Sequence, residues 1–494
     1  PGPSPAPIET NPLAPHLSSS SRREPLGTPR GCSLTPAALT MLSTMRTGAA
    51  RTIARTAMRS MAIKAPNPNL KKVVFVDAAR TPFCVAGTEF EDLMAHDLLR
   101  EAIKGLMAKS EITGEEIDYC LMGTVIQEVL TSNIAREAAM GAGLPTKMVA
   151  HTSTQACISA NTCTATGMGL IQTDHCDVVM AGGVEVMSDL PIRFSRPIRK
   201  RLLKLGKAKT TQAKLNLLSG LTMADLTPQA PGVAEFSTGE IMGYSADKLA
   251  ASFSISRADQ DKFAARSHQR AQDATDQGLF KGEIIPVAGT KGKMVSVDNG
   301  IRPTTVEKLG GLKPAFVKPH GTVTAASSSF LTDGASASII TSEEYAKSRG
   351  IKYRSLLKDF VFAGCDPKTQ LLLGPAHSTA QLLKRNNLKM SDIDIIEFHE
   401  AFAGQVLSNI AALDSDAWCK ENLGMDKVGE MRVEIMNTRG GSLSLGHPFG
   451  ATGTRLLKCA TERLKFEDKK LALITACAAG GQGVAMLVER VPNY

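Results

Sequence analysis

Glu115-Glu116-Ile117-Asp118-Tyr119-Cys120-Leu121-Met122 and, far downstream, Ser391-Asp392-Ile393-Asp394-Ile395-Ile396-Glu397-Phe398 are two versions of one phrase. In each, an acid, an isoleucine and an aspartate lead into a short apolar run of strand length. Ala165-Thr166-Gly167 and Ala451-Thr452-Gly453 repeat at what read as the starts of two helices. The apolar strands over 177–185 and 470–476 form a third matching pair. The chain therefore reads as two copies of one β/α unit. The fold class is α/β, with a duplicated β/α unit stacked as five αβαβα layers, and pseudo-twofold symmetry brings equivalent helix N-termini to a common cleft.

Local patterns outside the phrase agree. Val73-Val74-Phe75-Val76-Asp77 is a β-rich run ahead of the Arg80-Thr81-Pro82 turn. Helical periodicity covers 93–109, and a helix over 134–142 stops at Gly143 with Pro145 beyond. A small-residue helix spans 162–172, residues 245–278 are helical up to Gly278, and 451–465 is the counterpart in the second copy. The stretch up to Pro319 is loop-rich. A hydroxyl-rich segment over 321–336 then offers neutral hydrogen-bonding groups to a polar ligand before a strand over 337–341.

With 494 residues the chain exceeds one ordinary core, and 43% apolar with 21% charged residues is the balance of a globular protein. No apolar run is long enough to span a bilayer. A net charge of +9 favours anionic partners such as coenzyme phosphates or a lipid surface. The ten cysteines lack CxxC pairs and lack histidines at metal-ligand spacing, so reduced thiols are expected, with no disulfide framework or metal site.

Two segments stand outside the repeat. Residues 1–40 are rich in Pro and Ser. From Met41 the chain turns Arg-rich and free of acids until Asp77, with Arg51, Arg55 and Arg59 on one helical face. This reads as a mitochondrial transit segment starting at Met41. Between Leu190 and Tyr244 the α/β rhythm stops. Arg193, Arg196, Arg199, Lys200, Arg201, Lys204, Lys207, Lys209 and Lys214 follow without an acid among them, interleaved with leucines. A basic amphipathic helical pair suits an anionic lipid surface, or a lid whose charges face phosphates. Nucleic acid ranks last, because the insert has almost no aromatics for stacking. The implied divisions are 1–64 (extension and transit segment), 65–189 (first part of the N-terminal half), 190–244 (insert), 245–342 (remainder of that half) and 343–494 (C-terminal half).

Four short motifs carry chemistry. Cys157-Ile158-Ser159 sits at a strand–turn–helix junction, where the helix dipole would lower the thiol pKa. Gly446-His447-Pro448 places an imidazole in a glycine-rich loop entering a helix, a geometry suited to an oxyanion or phosphate. His399-Glu400-Ala401-Phe402 ends one strand, and Cys477 with the tail Ala478-Ala479-Gly480-Gly481-Gln482-Gly483 ends another. Two thiols, two imidazoles and turn amides are what thiol-based acyl transfer needs.

These motifs, in this order, resemble the thiolase family over residues 71–490. His399, the Ser442-Leu443-Ser444-Leu445 lead, Phe449 and the basic insert resemble the long-chain 3-ketoacyl-CoA branch. The resemblance implies that Cys157 carries the acyl group, His447 activates it, and Cys477 moves the proton at the acetyl carbon. It implies one oxyanion hole at His399 with a water, and another at the backbone amides of Cys157 and Ala479. It places Ser329 and Met187 against the substrate. It implies coenzyme A as co-substrate with no permanently bound cofactor. It also implies a homodimer, an α subunit with hydratase and dehydrogenase activity, and peripheral contact with inner-membrane lipid on the matrix face. Ser327 departs from the Asn usual in its loop, and Ala479 from a common Gly. Other readings are a condensing ketoacyl synthase, a short-chain acetoacetyl-CoA thiolase, and a scaffold of the same fold anchoring a partner enzyme.

Overall fold

The computed structural model describes residues 64–232 and 234–492. The expected transit segment and its expected start at Met41 lie outside the described residues.

The first copy contains strands β1 (Val73–Arg80), β2 (Tyr119–Gly123), β3 (Val149–Ser153), β4 (Val178–Glu185) and β5 (Thr332–Ser342). They lie in the order β3-β2-β4-β5-β1. The second copy contains β6 (Ser355–Gly364), β7 (Ile395–Phe398), β8 (Leu471–Ala478) and β9 (Gln482–Arg490), in the order β7-β8-β9-β6. The copies match pair by pair: β2 with β4 and β7 with β8 are parallel, and β4 with β5 and β8 with β9 are antiparallel. The place of β3 in the second copy is marked by a parallel bridge from Ile396 to Met436. The halves join where β1 pairs with β6 over three residues, from Val73↔Leu357 to Phe75↔Ser355.

The repeated phrase does the same work twice. Asp118 accepts hydrogen bonds from the amides of Asp177 and Val178, and Asp394 accepts them from Lys470 and Leu471. Each aspartate thereby fixes the register of a parallel strand pair where the backbone would otherwise fray.

Strand residues alternate between two cores, as the period of two requires. In the first copy Val74, Val76, Cys120, Met122, Val178 and Met180 face the outer helices α1 (Ala95–Lys109) and α2 (Ile134–Gly141). Val73, Phe75, Leu121, Val179 and Ile340 face inward. In the second copy Ile396, Phe398, Leu473 and Leu487 pack on outer helices Gly374–Arg385 and Ala403–Leu413, while Ile395, Ile474, Met486 and Val488 face inward. Between the half-sheets lie two central helices, α3 (Ser159–Gln172) and Thr452–Phe466, which share the inner core through Met168, Ile171, Leu456 and Leu457. The result is helix, sheet, helix, sheet, helix. Each buried Leu, Ile or Phe contributes about 1.5–3 kcal/mol, so slipping one strand by one residue would forfeit several such terms.

Three local expectations are corrected. Residues 245–278 are not one helix: Met242–Ser252 and Arg257–Asp276 are separated by Ser254 at φ 54°, where Ile255 N–H bonds Ala250 O (2.8 Å) and Ser256 caps the second helix. This is a left-handed helix stop followed directly by an N-cap. Ala165-Thr166-Gly167 lies inside α3, which begins at Ser159, whereas Ala451-Thr452-Gly453 does open its helix. The strand expected over 337–341 starts at Thr332, because Thr332 and Asp333 pair with Val85 and Cys84.

The insert forms helices Arg196–Leu205 and Thr211–Leu218, and neither buries a residue. Arg201 is used internally, donating to Leu217 O (2.8 Å) and Ser219 O (2.5 Å) at the end of the second helix. Phe194, Leu203 and Leu215 stand 62%, 74% and 57% exposed beside the remaining cations. Among the described residues no helix is long and apolar enough to cross a membrane, and all nine described cysteines are unpaired.

Candidate active site

Cys157 lies on a tight turn two residues ahead of α3. Ala156 holds φ 46°, in the left-handed region that a side chain disfavours. The turn is fixed by Ile158 N–H to Gln155 O (3.2 Å) and Ser159 N–H to Ala156 O (3.1 Å). Ser159 Oγ accepts from Gln155 N–H (2.8 Å) and donates to Ala156 O (2.7 Å). The strain at Ala156 is held by its surroundings, which is the usual sign of a positioned functional group.

The facing wall comes from the second copy. His447 follows Gly446 at φ 101°, and its backbone N–H donates to Thr332 Oγ1 (2.9 Å). Its ring Nδ1 is 2.6 Å from Thr452 Oγ1. The Thr452 hydroxyl proton is committed to Pro448 O (3.0 Å), so Thr452 accepts from His447 Nδ1–H. His447 Nε2 is buried, has no hydrogen-bond partner among the described residues and carries a free lone pair. His399 follows β7, and its Nδ1 is 2.8 Å from Ser442 Oγ. That oxygen accepts from Arg455 Nη2 (3.1 Å), leaving the hydroxyl's own proton for His399 Nδ1. His399 Nε2, also buried without a partner, therefore carries hydrogen. The network assigns opposite tautomers to two rings whose centroids are 4.0 Å apart: one a base, the other a donor.

The Cys157 sulfur and one ring nitrogen of each histidine all lie within 4.8 Å of one another. The backbone N–H groups of Ala479 and of Cys157 itself are within hydrogen-bonding reach of that sulfur. Cys477, buried at the end of β8, is close enough for its charge to couple to Cys157. The two thiols and two imidazoles singled out in sequence thus converge.

The electrostatics correct one expectation. The helix dipole does not leave Cys157 a resting thiolate. Cys157 as a residue is half-buried, and packing around its sulfur pushes the thiol up, to about 12, against the relief given by the Ala479 amide. Burial raises Cys477 well above the usual thiol range, and a charge on Cys157 would raise it further. Burial and the nearby Arg455 guanidinium depress His399 to about 3. Burial, then His399 and Arg455, hold His447 well below 6.5. The resting site is neutral, and its proton transfers await a substrate.

Of the hydroxyl-rich loop, Thr324, Ser327 and Ser328 bond within their own turn, and Thr332 bonds Phe330 O and His447. Ser329 donates its backbone N–H to Ala401 O (2.9 Å), and its hydroxyl has no hydrogen bond within the described residues. Met187 is buried just beyond β4, its N–H on Asp333 (2.6 Å), two residues from Leu331, which bridges His447.

Several supporting residues were not assigned from sequence. Thr452 and Ser442 set the tautomers. Glu185 accepts from Val125 N–H (3.1 Å), Ile126 N–H (2.9 Å) and Gly450 N–H (3.0 Å), tying the first copy to the His447 loop. Glu400 accepts from Asn437 (2.6 Å) and Ser267 (2.7 Å) under the same loop. Glu235, in the insert, accepts from Gly480 N–H (2.7 Å) in the tail behind Cys477. Glu185 and Glu400 stand at motif edges in the sequence, which was the available signal; their partners, and the role of Glu235, were not legible there.

Comparisons with known proteins bear on this arrangement. Residues 73–344 match the family model described as thiolase, N-terminal domain, and residues 351–490 match thiolase, C-terminal domain. The chain is 54% identical over 427 residues to the mitochondrial trifunctional enzyme subunit beta of Macaca fascicularis, covering 86% of this chain and 90% of that protein. It is 52% identical over 424 residues to a probable 3-ketoacyl-CoA thiolase of Caenorhabditis elegans, covering 85% and 94%. The crystal structure of human mitochondrial 3-ketoacyl-CoA thiolase superposes with a TM-score of 0.72 at 29% identity, over 85% of this chain and 99% of that one.

Proposed function

The chain belongs to the thiolase family, and on that premise we propose that it cleaves long-chain 3-ketoacyl-CoA with coenzyme A, giving acetyl-CoA and a shortened acyl-CoA. The observation that carries the reading is the meeting of Cys157 with two buried imidazoles of opposite tautomer.

Cys157 Sγ attacks the 3-keto carbon as its proton passes to His447 Nε2, the ring atom with the free lone pair. The His399 Nε2–H, with a water, and the amides of Cys157 and Ala479 are the donors available for the oxygens that gain charge. The C2–C3 bond then breaks, leaving the acyl group on Cys157 and an enolate that takes the Cys477 proton to become acetyl-CoA. Coenzyme A enters, gives its thiol proton to Cys477 and attacks the acyl thioester, and Cys157 recovers its proton from His447. No step needs a bound cofactor. Ser329 and Met187 are proposed substrate contacts; the unengaged Ser329 hydroxyl beside the Ala401 backbone supports the first.

The wider setting is proposed on the same footing. The similar trifunctional beta subunits are mitochondrial, which supports a mitochondrial protein with an α-subunit partner. The insert, with exposed Phe194, Leu203 and Leu215 and with cations that form no salt bridge among the described residues, supports contact with anionic lipid on the matrix face of the inner membrane. The exposed edge strand β3, where Val149 is 52% exposed, supports a homodimer across the sheet edge.

The test is coenzyme-A-dependent loss of 3-ketohexadecanoyl-CoA beside acetoacetyl-CoA. Rapid cleavage of the long substrate with little of the short is expected, and Cys157→Ser should accumulate no acyl-enzyme by mass spectrometry. Full activity in Cys157→Ser would overturn the nucleophile, and the reverse chain preference would assign a short-chain enzyme. For the insert, flotation with anionic but not neutral vesicles is expected, and equal flotation of a variant with Lys200, Lys204 and Lys207 changed to Glu would overturn the lipid contact.

A further inference from the structure

Cys157, His399 and His447 are far apart in sequence, so no metal-ligand spacing shows in the chain. The fold nevertheless collects one sulfur and two imidazole nitrogens within 4.8 Å of one another. A tetrahedral zinc ion with bonds of about 2.0–2.3 Å needs its donors about 3.3–3.6 Å apart, within small side-chain rotations of this arrangement. Both Nδ1 atoms are already held by hydroxyls, at 2.6 and 2.8 Å, which orients the Nε2 atoms as ligands in the way an outer shell does. Both Nε2 atoms are buried and unpartnered.

We propose that Cys157, His399 and His447 form a reversible site, with one sulfur and two nitrogen donors, for a zinc-class divalent ion that blocks the thiolase site when bound. Thiolate with imidazole selects Zn²⁺, Cd²⁺ or Co²⁺ over the hard ions Mg²⁺ and Ca²⁺. On binding, the Cys157 S–H bond breaks, its electron pair forms the metal–sulfur bond, and the proton leaves to solvent; nothing is oxidised or reduced. His399 shifts its hydrogen from Nε2 to Nδ1, where Ser442 Oγ accepts it. A fourth position stays open to water. The inhibitory consequence rests on the proposed thiolysis; the binding does not.

The experiment titrates the full chain with Co²⁺ in the absence of oxygen, following the cobalt–thiolate charge-transfer band and the ligand-field bands of a tetrahedral ion. One equivalent is expected to bind with both signatures, Zn²⁺ should displace it, and equimolar Zn²⁺ should abolish thiolysis until a chelator is added. Cys157→Ala should lose the charge-transfer band. Thr452→Val, which removes the hydroxyl that holds His447 Nδ1 together with its bond to Pro448 O, should keep the band but bind about 10- to 100-fold more weakly. Circular dichroism establishes that each variant is folded, with His399→Asn replacing any that is not. A band of undiminished strength in Cys157→Ala would place the metal on other cysteines and overturn the proposal, as would octahedral spectra in the unmodified chain. Because the readout is spectroscopic, a chain that binds Co²⁺ as described but cleaves no ketoacyl-CoA refutes only the proposed reaction. One that cleaves it and gives no band refutes only the metal site.

Discussion

Replacing Gly183 by Ala tests how tightly the two copies are fitted around the site. A Cβ at this position would lie 2.0 Å from Gly450 O and 2.5 Å from Gly123 O, both backbone atoms of packed segments. Real Cβ contacts essentially never fall below 3.0 Å, so the Gly450 segment must retreat by about 1 Å. Gly450 is three residues past His447, and its N–H is held by Glu185, so the retreat carries the imidazole away from Cys157. A displacement of that size costs on the order of 10²-fold in turnover, and overpacking costs about 1–3 kcal/mol in stability. The assay is kcat for 3-ketoacyl-CoA thiolysis together with the thermal midpoint. The alkylation rate of Cys157 should fall as well, since its base has moved. Gly169→Ala is the control: Gly169 lies within α3 with nothing within 4 Å of the added carbon, and the change should stabilise by about 0.5–1 kcal/mol with kcat unchanged. A Gly183→Ala protein with kcat within twofold and an unshifted midpoint would refute the argument that this crossing positions His447.

Three further outcomes are expected. Glu185→Gln sets an amide donor among three backbone N–H groups, so it should destabilise by about 1–3 kcal/mol and slow turnover, checked by denaturant unfolding and kinetics. Arg463→Met removes the 2.8 Å partner of the fully buried Glu397 carboxylate, leaving it only the looser Arg455 pair at 3.7 Å, and should cost about 3 kcal/mol in urea unfolding. Burial depresses His268 and His377 from 6.5 to about 4. Between those values the unfolded chain binds more protons, so stability is full above about pH 6.5 and falls as pH drops toward 4, by up to about 1.4 kcal/mol per pH unit per histidine. Urea midpoints across that range should fall less steeply when both are replaced by Gln, the remaining slope being that of the buried His399 and His447.

The duplication was legible because it rests on local chemistry. An acid–Ile–Asp lead needs only its own backbone neighbours to fix a strand, and it reads the same at Asp118 and Asp394. The four motifs were legible because thiols and imidazoles among glycines are rare side chains in permissive backbone. The opposite tautomers were not legible, since they depend on whether a hydroxyl is already committed to another partner, as Thr452 is to Pro448 O and Ser442 is not. The neutral resting thiol was missed because a helix terminus can be read from the chain, whereas the surroundings of this half-buried cysteine include groups distant in sequence, Ala479 among them. The break at Ser254 was missed because serine carries no obligatory left-handed preference; only the capping at Ser256 explains it.

The narrow seam between the half-sheets also bears on how the chain is made and moved. Among the described residues β1 is the first strand to emerge from a ribosome, yet its partners are residues 336–342 and 355–357. More than half the polypeptide must exist before that strand can be closed on either edge, and such long-range pairing is slow. During synthesis the amino-terminal border of the described body is therefore its least committed part. The seam between the halves closes only after the whole first half has been made.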